Sequence, residues 1–429
     1  MDAILINLAE NSYPFLQATE KRVDMQKTAA ADMVIVGGGI AGLWLLNRLR
    51  RAGFSVFLFE SGALGGGQTH KSQGIIHGGM KYALQGRLTK DMQALAEMPK
   101  RWQQCLAGSG EMDLSNVPLL SAQHFLWASH KFTSKLMGFI ASTALTGKVE
   151  PLARENYPAV FQHNDFKGDV FSLDEIVVDV PILIRELVKA NQDAIFHIEP
   201  ICSDGLKLNE KGELVTATVY MSGKSIEVSA QQFIFTAGAG NEVIINKLKQ
   251  KNIAMQRRPL HMVLVKLPFD ASLYAHCLGL GSRPRITITT HMLQNGRKVW
   301  YLGGMLAEEG IHRDSAAQIH AAKEELQTLF PWLDFSGAEF ATFMIDRAEQ
   351  LQGNGFKPET ACMKIVKNTL VAWPTKLALA PKLADDVMRH FQQLSLTPQL
   401  FDVRELRSWP IPPLAKPVWE DVFCCSNVF

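Results

Sequence analysis

The chain has 429 residues, 47% of them hydrophobic and 20% charged, a globular balance with room for two or more cores. Lys and Arg number 44 against 42 Asp and Glu, and the net charge of +2 leaves no electrostatic footprint for nucleic acid or an anionic membrane. No apolar run reaches the roughly 18 residues of a transmembrane helix, and the start lacks a basic leader, so a cytoplasmic protein is expected. The 6 cysteines form no C-x-x-C pair and no His/Cys cluster with ligand spacing, so thiols are expected and no metal.

Residues 1–30 read as an N-terminal extension with a turn at Asn11-Ser12-Tyr13-Pro14. Met33-Val34-Ile35-Val36 then reads as a short buried strand, followed by Gly37-Gly38-Gly39-Ile40-Ala41-Gly42. Gly37, Gly39 and Gly42 have the G-x-G-x-x-G spacing of a dinucleotide turn. Gly37 makes the turn, Gly39 admits a pyrophosphate, and Gly42 lets the helix pack on the strand. The helix from Ile40 and Ala41 to Ala52 offers the phosphates its positive end, and Gly53 can stop it. A second strand, Ser55 to Phe59, ends in Glu60, near the spacing of a carboxylate that holds ribose hydroxyls. An acid there repels a 2′-phosphate, which points to FAD or NAD rather than NADP.

Ser61 opens a glycine-rich stretch that runs through Gln68, Thr69, Gln73, Gly74, Ile76 and His77-Gly78-Gly79-Met80-Lys81-Tyr82. Its small and hydroxyl side chains leave space for a large ligand lying along it. With the fingerprint and Glu60, this segment resembles the D-amino-acid-oxidase superfamily of FAD enzymes. The His-Gly-Gly followed by a basic residue and Tyr is most similar to FAD-dependent glycerol-3-phosphate dehydrogenases, and FAD-linked L-2-hydroxyglutarate dehydrogenases have a related segment. The resemblance implies FAD as cofactor, residues 68–79 running past the flavin, and His77 near its reactive face as a base or a cofactor hydrogen-bond partner.

Further along, Met92, Leu95, Met98 and Trp102 fit a helical stripe, and residues 119–127 read as paired strands. Asp179 precedes Val180-Pro181 as a helix cap. Residues 199–228 alternate in β fashion, and Gln232 to Phe235 lead into Thr236-Ala237-Gly238-Ala239-Gly240. Alone, that turn could be half of a second nucleotide fingerprint, although its third glycine is replaced by Val243. By resemblance it closes the FAD-binding part. Strands are expected at residues 261–265, 285–291 and 299–304, with Arg285, Thr287, Thr289 and His291 on one face. Facing a flavin, Arg285, His291 and Tyr301 become substrate-binding candidates. The superfamily often brings an arginine to the substrate from the region of Arg347, with Lys357 as its rival, because guanidinium grips a multi-oxygen anion by forked hydrogen bonds. Pro374-Thr375-Lys376-Leu377-Ala378 falls where glycerol-3-phosphate dehydrogenases carry Gly-Gly-Lys-x-Thr. The lysine matches and the glycines do not, which implies a conserved flavin contact and a different substrate. Residues 401–429 read as a proline-rich tail, without the extra C-terminal domain of many of those enzymes.

The expected fold is α/β: a discontinuous Rossmann-type FAD-binding domain (31–90, 166–245 and 345–400) with an inserted β-rich substrate domain (91–165 and 246–344). The expected catalytic residues are His77, Arg347 and Lys376. Lys81, Arg285, His291, Tyr301 and Lys357 are expected at the substrate. The resemblance implies an FAD-dependent dehydrogenase or oxidase acting on a C–H next to a hydroxyl or amine of a small anionic substrate. An amine or amino-acid oxidase and a non-catalytic flavin-binding protein are the alternatives. The electron acceptor is left open between oxygen, a quinone and a carrier protein.

Overall fold

A computed structural model describes residues 27–79, 94–129, 149–201, 203–248, 253–278, 283–351, 358, 360–399 and 402–424. Strand β1 spans Lys27–Val36, helix α1 Ile40–Arg51, and strand β2 Val56–Glu60. β1 is buried along its final stretch, as its unbroken apolar run requires of a strand covered on both faces. β1 and β2 are parallel, with Val34 opposite Phe57. Helix α1 buries Leu43, Leu45, Leu46 and Leu49 completely. Each such leucine is worth about 1.5–3 kcal/mol on removal from water. Gly53 takes a φ of +92° just past the helix, the left-handed stop that its position predicts.

The parallel core runs in the order Thr369–Trp373, Lys224–Phe235, β1, β2, Ile195–His197. Three stretches far apart in the sequence thus build one sheet. Trp44, Leu183, Leu383 and Phe391 fill one of its two cores, and Phe57, Phe59, Phe196 and Phe235 fill the other. Asp179 caps the helix Val180–Lys189: its Oδ1 accepts the Ile182 N–H at 3.0 Å, with proline in the first turn.

A second, eight-stranded sheet has the order Glu339–Gln350, Met255–Lys266, Lys298–Gly303, Pro284–Met292, Ala275–Leu278, His124–Ser129, Gly168–Leu173, Val149–Pro151. It is antiparallel except where Ala275–Leu278 pairs with His124–Ser129. One face packs Trp127, Ile286, Ile288, Trp300 and Leu302 with Ile319, Ala322 and Leu326 of the helix Ser315–Leu329. The strand Glu339–Gln350 pairs with Met255–Lys266 over its whole length. The strand Cys362–Val366, beyond it, pairs with Thr369–Trp373 and so joins the sheet of β1. Gly168–Leu173 likewise belongs to the second sheet, past the expected boundary at 166. In both cases a long strand pairs to its end before the chain crosses over.

Among the described residues a third sheet holds Ile75–Ile76, Ile176–Val178 and Leu119–Ser121. The tail is docked: the Leu64 N–H donates to the Pro413 carbonyl at 2.8 Å, and the Ala415 N–H to the Leu64 carbonyl at 3.1 Å. Beyond it Trp419, Val422 and Phe423 pack against Leu264 and Tyr301 in one core on the second sheet. Among the described residues no helix is long and apolar enough to cross a membrane.

Candidate active site

The nucleotide end is a cradle of close backbone contacts. Gly37 has a φ of +113°. A Cβ on Gly42 would lie 1.9 Å from the Gly37 carbonyl oxygen, so the helix packs there only with glycine. Gly39 is the N-cap of α1; it makes no side-chain capping bond, and the first turn carries no acid. The positive helix end is left to an anion. Thr69 Oγ1 accepts the Ile40 N–H at 3.1 Å. Glu60 accepts the Gly38 N–H at 2.6 Å and the Gly62 N–H at 2.7 Å, which fixes its carboxylate at the end of β2. The Ser61 carbonyl lies 3.3 Å from His197 Nε2. The Thr236 hydroxyl donates to the Gly37 carbonyl at 3.0 Å, and Ala237 is tied to Asn241. Gly238 has a φ of +58°, and its missing Cβ would sit 3.5 Å from Gln68 Nε2. A helix start with no acid in its first turn, beside a fixed carboxylate, fits the pyrophosphate and ribose of FAD.

The other end follows from strand register. Ile75 faces Val177 and Ile76 faces Ile176, so the next pair along is His77 and Glu175. His77 Nδ1 lies 3.2 Å from Glu175 Oε2, and the Gly78 N–H donates to Glu175 Oε1 at 3.0 Å. Glu175 is almost fully buried, whereas the His77 side chain keeps 34% of its surface open. His276 Nε2 approaches the same Oε2 at 3.7 Å. Its Nδ1 lies 2.8 Å from Thr287 Oγ1, its register partner on the next strand. His124 lies against His276 with ring centroids 4.2 Å apart and the rings tilted, wholly buried, with no hydrogen-bond partner for either ring nitrogen.

Electrostatics follows from this packing. Burial alone would raise the Glu175 pKa, but the charges and hydrogen bonds of His77 and His276 outweigh it and hold the carboxyl well below its usual range. Burial lowers the His77 pKa; Glu175 pulls it back up, and His276 and Lys376 push it down. An ionised carboxylate only accepts, so His77 Nδ1 must donate, and a neutral His77 presents a lone pair at Nε2.

The remaining predicted residues divide. Gly74 lies so close to the small sheet that a Cβ would come 2.4 Å from the Val178 carbonyl, and Ile76 is fully buried. Gln73 Nε2 donates to the Tyr301 carbonyl at 2.8 Å, and the Tyr301 hydroxyl to the Lys71 carbonyl at 2.6 Å. Tyr301, expected at the substrate, instead ties the glycine-rich segment to the second sheet. Thr375 adopts a φ of +61° with its hydroxyl on the Thr360 carbonyl. Lys376 and Leu377 open the short helical turn Leu377–Leu379, and Lys376 is close enough to influence His77. Arg347 sits opposite Arg258 on the strand Glu339–Gln350, its Nε 3.4 Å from the Arg258 carbonyl.

Two of the residues expected at the substrate have partners within the protein. Arg285 donates to Glu325 at 2.7 Å on the helix Ser315–Leu329, so its charge is already matched. His291 is buried, 3.1 Å from Thr289 and stacked on Trp419 at 4.0 Å, and burial drives its pKa down to about 3. A neutral, enclosed imidazole does not hold an anion. Lys81 and Lys357 lie outside the described residues. Glu175, His276 and His124 were not anticipated, because pairs such as His77 and Glu175 are 98 residues apart in sequence and only the folded register joins them.

Residues 32–347 match the family model for DAO, FAD-dependent oxidoreductases. The chain belongs to this family. It is 47% identical over 403 residues to a probable FAD-dependent oxidoreductase of Pseudomonas aeruginosa, covering 93% of this chain and 100% of that protein. The crystal structure of the FAD-dependent oxidoreductase from Pseudomonas aeruginosa superposes with a TM-score of 0.80 at 44% identity, again over 93% and 100%. An α-glycerophosphate oxidase of Enterococcus casseliflavus is 25% identical over 57% of this chain, which spans 42% of that protein. Glycine oxidase from Geobacillus kaustophilus shares the fold at 15% identity and a TM-score of 0.60, over 88% of this chain and 98% of its own. As a DAO-family member the protein is an FAD-dependent oxidoreductase, and the cradle from Gly37 to Gly42 with Glu60 is the part of the chain that fits FAD.

Proposed function

We propose that the protein oxidises a carbon bearing a hydroxyl on a small anionic substrate, a 2-hydroxy acid or a polyol phosphate, with His77 taking the hydroxyl proton. The pairing of His77 with Glu175 at 3.2 Å supports this most directly. Bound FAD supplies the hydride acceptor. Glu175 holds the His77 proton at Nδ1, aims the ring, and stabilises the imidazolium that forms when Nε2 accepts a proton. An alcohol proton is about as weakly acidic as that of water, so its removal needs a placed base. An amine needs only to arrive unprotonated. A carboxylate-backed histidine therefore favours a hydroxyl over an amine.

Lys376 and Arg347 are the candidates for the substrate's negative charge, and Lys81 and Lys357 are further ones. A lysine offers a compact charge and an arginine a fork that grips two oxygens. Lys376, at the start of the turn Leu377–Leu379, would also stabilise negative charge on a reduced cofactor bound near it. The cofactor contacts assigned to Gln68, Thr69, Gln73, Thr236, Gly238 and Thr375 belong to the same proposal.

The test is the absorbance spectrum of the purified flavoprotein under anaerobic conditions. Lactate, L-2-hydroxyglutarate, glycerol 3-phosphate and a set of amino acids are added in turn. Bleaching by a hydroxy compound is expected. Bleaching by an amino acid with release of ammonia would replace the proposal with amine oxidation.

A further inference from the structure

The group around Glu175 has more donor atoms than a base and its orienting carboxylate require. His77, Glu175 and His276 each bring one ligand atom, all within 4.8 Å of one another. The separations already seen, 3.2 Å from His77 Nδ1 to Glu175 Oε2 and 3.7 Å from that oxygen to His276 Nε2, bracket what a tetrahedral ion imposes. Bonds of about 2.0–2.2 Å at a tetrahedral angle put ligand atoms roughly 3.3–3.5 Å apart. Small side-chain rotations close the remaining gap.

The surrounding contacts are of the kind that steady metal ligands. Glu175 has one oxygen fixed by the Gly78 N–H, which leaves the other facing both imidazoles. His276 has its second ring nitrogen on the Thr287 hydroxyl. Outer contacts of this sort set the tautomer and aim of a ligating histidine. Beside the trio His124 is buried with both ring nitrogens unpartnered, an otherwise unexplained cost at a spot where a fourth nitrogen donor is useful. The His77 side chain keeps 34% of its surface open, so an ion can reach the cluster from that side.

We propose that His77, Glu175 and His276 form a binding site for one divalent zinc-type ion and that its occupation switches the enzyme off. Two imidazoles and one carboxylate suit zinc rather than magnesium or calcium, which prefer all-oxygen shells. An ion on His77 Nδ1 takes the position of the proton held there, which passes through water to Nε2 while Glu175 stays an ionised ligand. A neutral His77 then carries its proton on Nε2 and has no lone pair for the substrate. Lys376 opposes a cation through space, but the ligand bonds are direct and the repulsion is not. The silencing rests on His77 being the base; the binding does not.

The test is calorimetric titration of the flavin-loaded protein with ZnCl2 in a non-chelating buffer, alongside His276→Gln. The glutamine retains a polar partner for Thr287 but is a poor zinc ligand. The expected result is one ion per chain in the native protein and at least tenfold weaker binding in His276→Gln, with equal flavin content and melting temperature. No saturable binding, or binding that survives His276→Gln, overturns the site. One equivalent of zinc should also stop flavin bleaching by whichever of lactate, L-2-hydroxyglutarate or glycerol 3-phosphate bleaches the metal-free protein. Continued bleaching at saturating zinc overturns the switch. A protein that none of these compounds bleaches fails the proposed function, while the calorimetry still decides the site.

Discussion

Of the buried histidines on the second sheet, His276 and His291 differ most plainly in what packs against them. His276 lies within reach of the Glu175 carboxylate and beside two further imidazoles. His291 lies between the rings of Trp419 and Tyr301, with a threonine hydroxyl within hydrogen-bond reach. Both come from strands that place a polar residue on the face opposite the Trp300 core. A buried imidazole beside a carboxylate has somewhere to share a proton. One against an indole ring is held neutral and acts as packing. Position on a polar face of a sheet therefore does not make a site. A charged partner brought in from another strand does.

The comparison breaks most sharply at His77. His77→Ala should slow flavin reduction by about 10²- to 10⁴-fold, the usual contribution of a placed base, with FAD still bound. Stopped-flow absorbance at the flavin band is the measurement, and an unchanged rate would reduce His77 to packing like His291. Glu175→Gln comes next. The amide can still accept from Gly78 but cannot stabilise an imidazolium, and a loss of about 10- to 100-fold is expected, as for other residues that orient a functional group. His291→Phe should leave the same rate within about twofold, and a larger fall would erase the distinction between the two histidines.

The same contrast explains what could be read in advance. The glycine turn, Glu60, the Asp179 cap and the helix near residues 314–330 are local patterns, and each appears where its spacing places it. His77 stood out because it follows the glycine-rich segment directly. Glu175 did not, since Asp174-Glu175 reads as an ordinary turn before Ile176–Val178. Its meaning depends on antiparallel pairing with Ile75–Ile76, a contact of high sequence separation. His276 depends in turn on the strand Ala275–Leu278 lying between His124–Ser129 and Pro284–Met292. Strand alternation did suggest the polar side chains of Thr287, Thr289 and His291. It carries no information on which element would cover them, so the docking of Trp419 on His291 was illegible. The partner of Arg285 was illegible for a related reason, because Glu325 is contributed by a helix 40 residues on.

The smallest expected effect concerns stability in acid. Burial lowers the His291 pKa to about 3, from an ordinary value near 6.5 in the unfolded chain. The unfolded state therefore binds the proton first as the pH falls. The stability contributed by a neutral His291 is complete above about pH 6.5 and is lost progressively as the pH drops toward about 3. At pH 5 the loss is about 2 kcal/mol, from roughly 1.5 units at 1.36 kcal/mol each. Phenylalanine keeps a flat ring on Trp419 and takes up no proton. Thr289, which loses a partner, still lies 3.4 Å from Gln73 Nε2. Melting curves of native protein and His291→Phe at pH 7 and pH 5 should show the native protein losing a few degrees more on acidification. Equal losses would mean that His291 is not the acid-sensitive group. Attention would then turn to His70, which is also buried and has a pKa lowered to about 4. It lies in the glycine-rich segment, close enough to Gly65 that a Cβ there would touch its ring.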